Sequence, residues 1–247
     1  MNGAAAQGHG GLPDCRLALG VHLVAAPDGG ARLVDLDGAF YGLTAVAADM
    51  LRGMLAGPSA DAAAAVAVDY GVPLDVVSAD LAAFRADLAR RGLVETGSGR
   101  IRRRMRRILA RVALAPFLAA QDICGPSATG LLILARLAVR IFGFGAAASA
   151  FRPGTGGAPT RSPDLATVAA IDREVIAAAA RLPGAACKEI ALAAWRLLAA
   201  RGLPAELVVG IEFYPLAGHC WCRVGDRICA DLGARAAGYT IVASSDW

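Results

Sequence analysis

The stretch ACKEIALAAWRLLAARGLPAELVVGI, residues 186–211, sets the expected topology of the second half of the chain. It predicts a long helix that ends at Gly202-Leu203-Pro204, followed by the strand AELVVGIEF. Two more strands are predicted in GHCWCRV, residues 218–224, and RICADL, residues 227–232. A helix that precedes neighbouring strands indicates an α+β fold with an antiparallel sheet.

Cys187 lies between the helix-breaking pair Pro183-Gly184 and this long helix, so its thiol is expected at a helix N-terminus. Unpaired backbone N–H groups and the helix dipole favour the thiolate there, and the thiolate is the nucleophilic form of cysteine. The ordinary alternative for a cysteine in an Ala-rich segment is a small buried side chain. Its position makes Cys187 a candidate nucleophile.

A nucleophilic cysteine needs a general base, which is usually a histidine. Of the three histidines, His9 lies in the Gly- and Ala-rich N-terminal segment, and His22 lies in the other half of the chain. His219 lies on a predicted strand 32 residues after Cys187. Asp231, at the end of the next strand, is the carboxylate expected to orient the imidazole.

The spacing between His219 and Asp231 determines which kind of turn the hairpin between them must have. If Gly225-Asp226 formed a plain two-residue turn, residue 220 would pair with residue 231, and Asp231 would point away from His219. The triad therefore predicts a three-residue turn or a β-bulge in this hairpin.

Three cysteines near His219 also suggest a metal site, namely Cys220, Cys222 and Cys229. Alternation along a strand places His219 and Trp221 on one face, and Cys220 and Cys222 on the other. The cysteines are therefore expected to fill the core side, and no metal site is predicted.

The first half of the chain predicts a β-β-α-α-α unit. Thr44 and Ser59 are expected to cap the first two helices, and Gly92 to end the third. The predicted elements are strands at 16–26 and 31–43, the second interrupted at Asp37-Gly38, and helices at 45–55, 60–70 and 74–91. This order of elements is winged-helix-like.

The middle of the chain is basic and then apolar. Seven arginines fall between Arg100 and Arg111, although the formal net charge of the chain is only +4. Helices are predicted over 100–151, divided by Pro116 and Gly125-Pro126. A basic amphipathic segment of this kind lies on a membrane surface, docks a partner protein or packs as a solvated helix face.

The N-terminal sequence MNGAAAQGHGG has neither the basic nor the apolar region of a signal peptide. We therefore expect a cytoplasmic protein with reduced cysteines. The most apolar stretch, 130–151, is interrupted by Arg136 and Arg140, which argues against a membrane span.

Residues 165–247 resemble the B protein of lasso peptide biosynthesis, a transglutaminase-like (papain-like) cysteine peptidase. The resemblance rests on ACKEIALAAWRLLAARGLPAELVVGI, on GHCWCRVGDRICAD and on GYTIV, residues 238–242. It implies that Cys187 is the nucleophile, that His219 is the general base and that Asp231 orients His219. Lys188 stands where the family often has Leu, and Cys220 and Cys222 stand where small or β-branched residues are usual.

The N-terminal unit resembles the precursor-recognition element of peptide-modifying systems, which is similar to the small carrier protein of pyrroloquinoline quinone biosynthesis. The resemblance rests on the order of elements and on DLDGAFYGLTAVAADML, residues 35–51. Such elements bind a leader peptide as an added strand, against the third helix. It implies leader contacts along the strand and the third helix, at Leu33, Val34, Asp35, Leu36, Val77, Leu81 and Phe84.

Together the resemblances imply a leader peptidase that binds the leader of a ribosomally made precursor and hydrolyses the leader–core bond. They imply an asparagine-synthetase-like cyclase as partner, and membrane-surface or exporter contact through Arg100–Arg111. No cofactor is evident, although some family members are described as requiring ATP. No nucleic acid is expected, because the third helix has no basic start.

We predict four segments: a disordered tail at 1–14, a recognition domain at 15–96, a basic and apolar helical connection at 97–163 and a peptidase core at 164–247. Three rival functions remain open at this stage. They are acyl transfer to an amine by the same triad, leader binding by a non-catalytic protein and duplex binding by a winged-helix regulator.

Overall fold

The computed structural model describes residues 13–95, 97–153, 164–232 and 235–244. Two compact units emerge, one of residues up to Asp35 with Phe40–Arg100, the other of Leu36–Ala39 with the chain from Ile101 onward. Most of the predicted tail at 1–14 and the end of the predicted connection at 97–163 lie outside the described residues, as does Thr96.

The first unit contains a three-stranded sheet in the order β1-β2-β3. A turn at Pro27–Gly30 joins the first two strands, and the Ala26 backbone N–H donates to the Gly30 carbonyl across it at 3.1 Å. The break predicted at Asp37-Gly38 separates β2 from β3, so the unit has three strands. These are β1 (Val21–Ala25), β2 (Ala31–Asp35) and β3 (Ala39–Leu43).

The predicted first strand is too long at its start. Residues 16–18 do not extend β1, because they pair with the segment after the third helix: the Ala18 N–H donates to the Leu93 carbonyl at 2.9 Å, and the Glu95 N–H to the Arg16 carbonyl at 2.8 Å. The N-terminus of the unit is thereby joined to its C-terminus.

Three helices follow the sheet, namely α1 (Ala45–Ala56), α2 (Ser59–Tyr70) and α3 (Leu74–Arg90). Thr44 caps α1 as predicted, since its side chain accepts from the Ala47 N–H at 3.3 Å. The prediction that Ser59 caps α2 is wrong. Ser59 is already helical, and its exposed N–H is bound by the Asp14 carboxylate at 2.8 Å, which supplies the acceptor that a cap would provide.

The helical region that follows begins with a single 28-residue helix, where the sequence predicts a division at Pro116. That prediction is wrong. Pro116 is exposed, so water can bind the Val112 carbonyl that lacks a helical N–H partner. The helices are α4 (Gly97–Cys124), α5 (Ala128–Phe142), α6 (Phe144–Phe151), α7 (Leu165–Arg181) and α8 (Cys187–Ala200).

The antiparallel sheet of the second unit confirms the predicted α+β fold. Its strand order is β6-β5-β4-β7, and α8 packs against it with most of its apolar side chains fully buried. The Trp195 indole N–H of α8 donates to the Ala205 carbonyl at the start of β4, at 2.9 Å. The strands are β4 (Ala205–Phe213), β5 (Leu216–Val224), β6 (Arg227–Cys229) and β7 (Thr240–Ala243).

Among the described residues, no helix combines the length and the apolar character that a membrane span requires.

Candidate active site

Cys187 is the first residue of α8, as the sequence predicts. The residue before it, Ala186, has no side chain that could cap the helix. Its backbone N–H instead donates to the buried carboxylate of Glu189, three residues later, at 3.1 Å. The first N–H groups of a helix have no partner within the helix. The Cys187 sulphur therefore lies near unpaired backbone donors and near the positive end of the helix dipole.

His219 lies on β5 and is buried, with its imidazole between Cys187 and Asp231. Its Nε2 atom lies 2.7 Å from Asp231 Oδ1. The imidazole also lies close enough to Cys187 to act on its thiol, and each of these two groups shifts the pKa of the other. Since Nε2 is occupied by Asp231, Nδ1 is the nitrogen left for Cys187. The structure therefore brings the three predicted catalytic side chains together, with His219 between the other two.

The environment of Cys187 favours the thiolate. Burial raises the pKa of the thiol, but hydrogen bonds from His219 and from the Cys220 backbone N–H outweigh burial. The charges of His219 and Lys188 act in the same direction, and the net pKa lies below its ordinary value. The Cys220 N–H is a donor to the sulphur that the sequence does not reveal, because it depends on how β5 faces α8.

The pKa values of His219 and Asp231 are shifted in opposite directions. The hydrogen bond with Cys187 raises the pKa of His219, burial opposes it, and the bond with Asp231 raises it further. Burial raises the pKa of Asp231, but hydrogen bonds from the Ala236 N–H, from His219 and from the Arg235 N–H outweigh burial and hold it below its ordinary value. The site is suited to a thiolate beside an imidazolium.

The β5–β6 hairpin contradicts the predicted irregular turn. Val224 pairs with Arg227 and Cys222 with Cys229, so Gly225-Asp226 forms a plain two-residue turn without a bulge. The strand ends at Cys229 instead, and Ala230 takes a left-handed backbone conformation with φ of 58°. Because the chain leaves the strand there, Asp231 is freed from the alternation that would turn it away from His219.

Asp172 of α7 holds this bend. Its Oδ1 accepts from the Ala230 backbone N–H at 2.7 Å. A left-handed conformation is costly for a residue with a Cβ, so a hydrogen bond at this position stabilises the bend directly. Sequence reasoning missed Asp172 and Ala230, since alanine gives no signal for a left-handed residue and their contact spans 58 residues.

Aromatic rings cover His219. Trp221 stacks on the imidazole with ring centroids 5.6 Å apart, and Tyr239 lies 5.2 Å away at a tilt. Gly210 of β4 leaves room for both rings, because a Cβ at this position would lie 2.7 Å from Trp221 Cη2 and 2.9 Å from Tyr239 Cβ. The rings exclude water from one side of the imidazole and fix its orientation.

Strand alternation places Cys220 and Cys222 on the face opposite His219, as predicted, and both are fully buried. The Cys222 thiol donates to the Ala191 carbonyl at 3.1 Å. Burial raises the pKa of both thiols well above the ordinary range. Within the described ranges, no cluster of three or more His, Cys, Asp or Glu side chains has the arrangement of a metal site.

The first unit carries a groove of about 270 Å³ between β3 and α3. In the described part of the chain, β3 is the terminal strand beside this groove, and a terminal strand has backbone groups free to pair. The groove is lined by apolar and charged side chains, including Tyr41, Leu43, Phe84, Leu88 and Arg91. Of the predicted leader-binding residues, only Phe84 lines it.

The prediction that a leader adds beside residues 33–36 is wrong, because β2 is the central strand and is paired on both sides. Its predicted contact residues Leu33, Val34, Asp35 and Leu36 are buried, as are Val77 and Leu81 on α3. These residues form the core or its margin. The edge strands of this sheet are β1 and β3, and β3 is the one that lies beside the groove.

Comparison with protein families agrees with the two units. Residues 131–244 match the model of the Transglutaminase-like superfamily, and residues 23–94 match the model of Coenzyme PQQ synthesis protein D (PqqD). No curated protein and no solved structure matches the chain. The two-part architecture that the resemblances imply is confirmed: a PqqD-like recognition element precedes a transglutaminase-like domain. This combination fits a protein that processes the leader of a ribosomally made peptide.

Proposed function

Because the PqqD-like domain implies binding of a precursor peptide, and the transglutaminase-like superfamily includes cysteine proteases and acyltransferases, we propose that this chain is a leader peptidase of lasso peptide biosynthesis. It hydrolyses the bond between leader and core with Cys187, His219 and Asp231 as its triad. The observation that carries the proposal is that Cys187, His219 and Asp231 come together at the start of α8, with His219 hydrogen-bonded to Asp231 and lowering the pKa of Cys187.

The reaction is acyl transfer in two steps. The Cys187 thiolate attacks the carbonyl carbon of the last leader residue, and a C–S bond forms. His219 donates its Nδ1 proton to the leaving nitrogen as the C–N bond breaks, which releases the core with a free amine. Water then loses a proton to His219 and attacks the thioester. The C–S bond breaks, the leader leaves as an acid, and the thiolate is restored.

Asp231 acts on the imidazole and not on the substrate. Its carboxylate fixes the ring so that Nδ1 faces the sulphur, and it stabilises the imidazolium. The Cys187 backbone N–H, at the first position of α8, is the donor we assign to the oxyanion that forms on the leader carbonyl.

Leader binding is assigned to the β3–α3 groove. An extended peptide that pairs with the free edge of β3 places alternate side chains against α3, where Tyr41, Phe84 and Leu88 offer apolar contact. Capture of the leader raises the local concentration of the scissile bond near Cys187, so that a site with few subsite contacts stays selective.

The released amine is the product that the next enzyme requires. We propose that an asparagine-synthetase-like cyclase takes it and joins it to an acidic side chain of the core, as the family resemblance implies. Cleavage is therefore assayed with and without a cyclase and ATP.

Mass spectrometry of the cognate precursor after incubation with the enzyme tests the proposal. The wild type should give a leader and a core whose summed mass exceeds the mass of the precursor by one water. Cys187→Ala should leave the precursor intact. A leader product that carries an added amine in place of the added water would show that the enzyme transfers the acyl group to an amine and does not hydrolyse it. Cleavage by Cys187→Ala would remove the triad from the mechanism.

Leader binding is tested separately, by fluorescence anisotropy of a labelled leader in the Cys187→Ala background. Phe84→Ser should weaken binding about tenfold or more, the range expected for an anchor residue of a peptide groove. Val68→Ser is the matched control, because Val68 is an exposed apolar residue on α2 outside the groove. Equal affinity of both variants for the leader would show that the leader binds outside this groove.

A further inference from the structure

Helix α4 exposes apolar side chains along the side that faces away from the protein. Ile101, Met105, Ile108 and Val112 recur at i, i+4, i+7 and i+11, which is one face of a helix. Ile123 continues this face, and Ile101, Val112 and Ile123 are exposed to 65%, 68% and 84%. We call these five residues the outer stripe.

The opposite face of α4 holds it to the second unit. Ala110, Leu114 and Leu118 recur at i, i+4 and i+8 and are buried. With 3.6 residues per turn, they lie about half a turn from the outer stripe. A helix normally buries its apolar face and exposes its polar face, so a second apolar face in water indicates that something else covers it.

A second apolar surface lies where α4 meets α5, around a groove of about 480 Å³. Its lining is almost entirely apolar and includes Phe117, Ile133, Leu137 and Ile141, all of which are exposed. Leu114 also lines the groove, so the groove borders the buried face of α4 and does not continue the outer stripe.

Arginines border the outer stripe on both sides. Arg102 and Arg104, one and three residues after Ile101, are exposed on opposite sides of the stripe. Residues 97–153 contain ten arginines and one acidic residue, Asp122. Asp122 is paired with Arg196 of α8, and Asp37 is paired with Arg106, so neither carboxylate is paired with Arg102 or Arg104.

We propose that α4 docks on an anionic lipid bilayer, with the outer stripe in the acyl boundary and the arginines at the headgroups. Arginine has a long apolar stem, which allows its charge to remain at the headgroup level while the stripe is buried. Negative headgroups are continuous along a bilayer, and they match a border that carries one sign of charge on both sides.

The charge pattern disfavours the other occupants. A second copy of this chain would bring a second arginine border against the first, and like charges across an interface are repulsive. A nucleic acid would bind the arginines but leave the apolar stripe in water. A protein helix would need acidic residues on both of its edges, and this partner is one outcome of the test.

The test is co-sedimentation of the full-length protein with vesicles of phosphatidylcholine alone, and of phosphatidylcholine mixed with phosphatidylglycerol. We expect binding to the mixed vesicles and at least tenfold weaker binding to the neutral ones, with a further decrease at high salt. The triple variant Ile101→Ser, Ile108→Ser and Val112→Ser should reduce binding to the mixed vesicles about tenfold or more. Arg102→Ser with Arg104→Ser should do the same.

The double variant Val68→Ser and Val76→Ser is the matched control, since both residues are exposed apolar positions on α2 and α3 of the first unit. It should bind vesicles like the wild type, and circular dichroism should show unchanged helicity in every variant. Loss of binding in the arginine variant alone would mean polyanion binding without insertion, and would overturn the proposal. No vesicle binding, with self-association or capture by an acidic helix instead, would also overturn it.

Discussion

The carboxylate of Asp172 accepts a hydrogen bond from the backbone N–H of Ala230 at 2.7 Å. Ala230 directly precedes Asp231, whose carboxylate orients the imidazole of His219. Without the left-handed bend at Ala230, the regular register of the β5–β6 hairpin would turn Asp231 to the wrong face of the sheet. Helix α7 thus determines where Asp231 points, although it contributes no side chain to the triad.

Replacing Asp172 tests this role. Asp172→Ala removes the acceptor of the Ala230 N–H, so the bend should relax. The Asp231 carboxylate should then no longer be held in hydrogen-bond contact with Nε2 of His219. We expect kcat for precursor cleavage to decrease about tenfold to a hundredfold, the range for a displaced catalytic group, with KM unchanged because the leader binds elsewhere. Steady-state kinetics measures both constants.

Asp172→Asn is the matched variant, because its amide oxygen can still accept from the Ala230 N–H. It should restore most of the activity that Asp172→Ala loses. If Asn were as damaging as Ala, the negative charge of Asp172 and not its hydrogen bond would be the property that matters.

The hairpin shows where sequence reasoning succeeds and where it stops. Strand period alone correctly separates His219 and Trp221 from Cys220 and Cys222, because it is a local rule. The same rule correctly signals that Asp231 needs an irregularity, but it cannot locate one. The irregularity lies at Ala230, whose conformation depends on an acceptor 58 residues earlier in the chain.

The recognition domain shows a second limit. The apolar run at residues 33–36 is a clear strand, and its burial in β2 follows from its composition. Which strand has a free edge is a property of the sheet order and cannot be read from any one strand. The leader site therefore moves from β2 to β3, while Phe84 on α3 stays part of it.

The pH dependence of thiol reactivity tests the electrostatics of Cys187. Alkylation by iodoacetamide follows the thiolate, so its rate should rise with pH to a plateau, and the midpoint of the rise should report a pKa below the ordinary value for cysteine. His219→Ala removes the largest influence that lowers this pKa and leaves burial, which raises it. The rise should then shift to higher pH, with slower alkylation at neutral pH.

Mass mapping of the labelled peptides distinguishes the thiols, and a Cys124→Ser background removes the exposed cysteine. Cys220 and Cys222 should stay unlabelled in the folded protein, since burial raises the pKa of both well above the ordinary range. An unchanged profile in His219→Ala would show that the imidazole does not activate Cys187.

Gly210 should not tolerate a side chain. In Gly210→Ala, the new Cβ would lie within 3 Å of both Trp221 and Tyr239, so the rings that fix His219 must move. We expect the free energy of unfolding to fall by about 1–3 kcal/mol, the usual cost of overpacking, together with a lower kcat. Denaturant titration and steady-state kinetics measure the two effects.

Gly238→Ala is the control for this substitution, because a Cβ there meets open space. It should leave both stability and kcat near those of the wild type. If Gly210→Ala were equally silent, the ring cluster would not constrain the imidazole.

Glu189 should matter for the start of α8. Its carboxylate accepts from the Ala186 N–H at 3.1 Å, at a position where Ala186 itself cannot cap the helix. Glu189→Ala should lower the free energy of unfolding by about 1 kcal/mol, the typical value of a lost helix cap. The first turn, which carries Cys187, should loosen, and the alkylation profile of Cys187 should shift to higher pH. Glu189→Gln keeps an acceptor oxygen and should retain both properties. If it behaved like Ala, the charge of Glu189 near the helix N-terminus, and not its bond to Ala186, would hold the nucleophile in place.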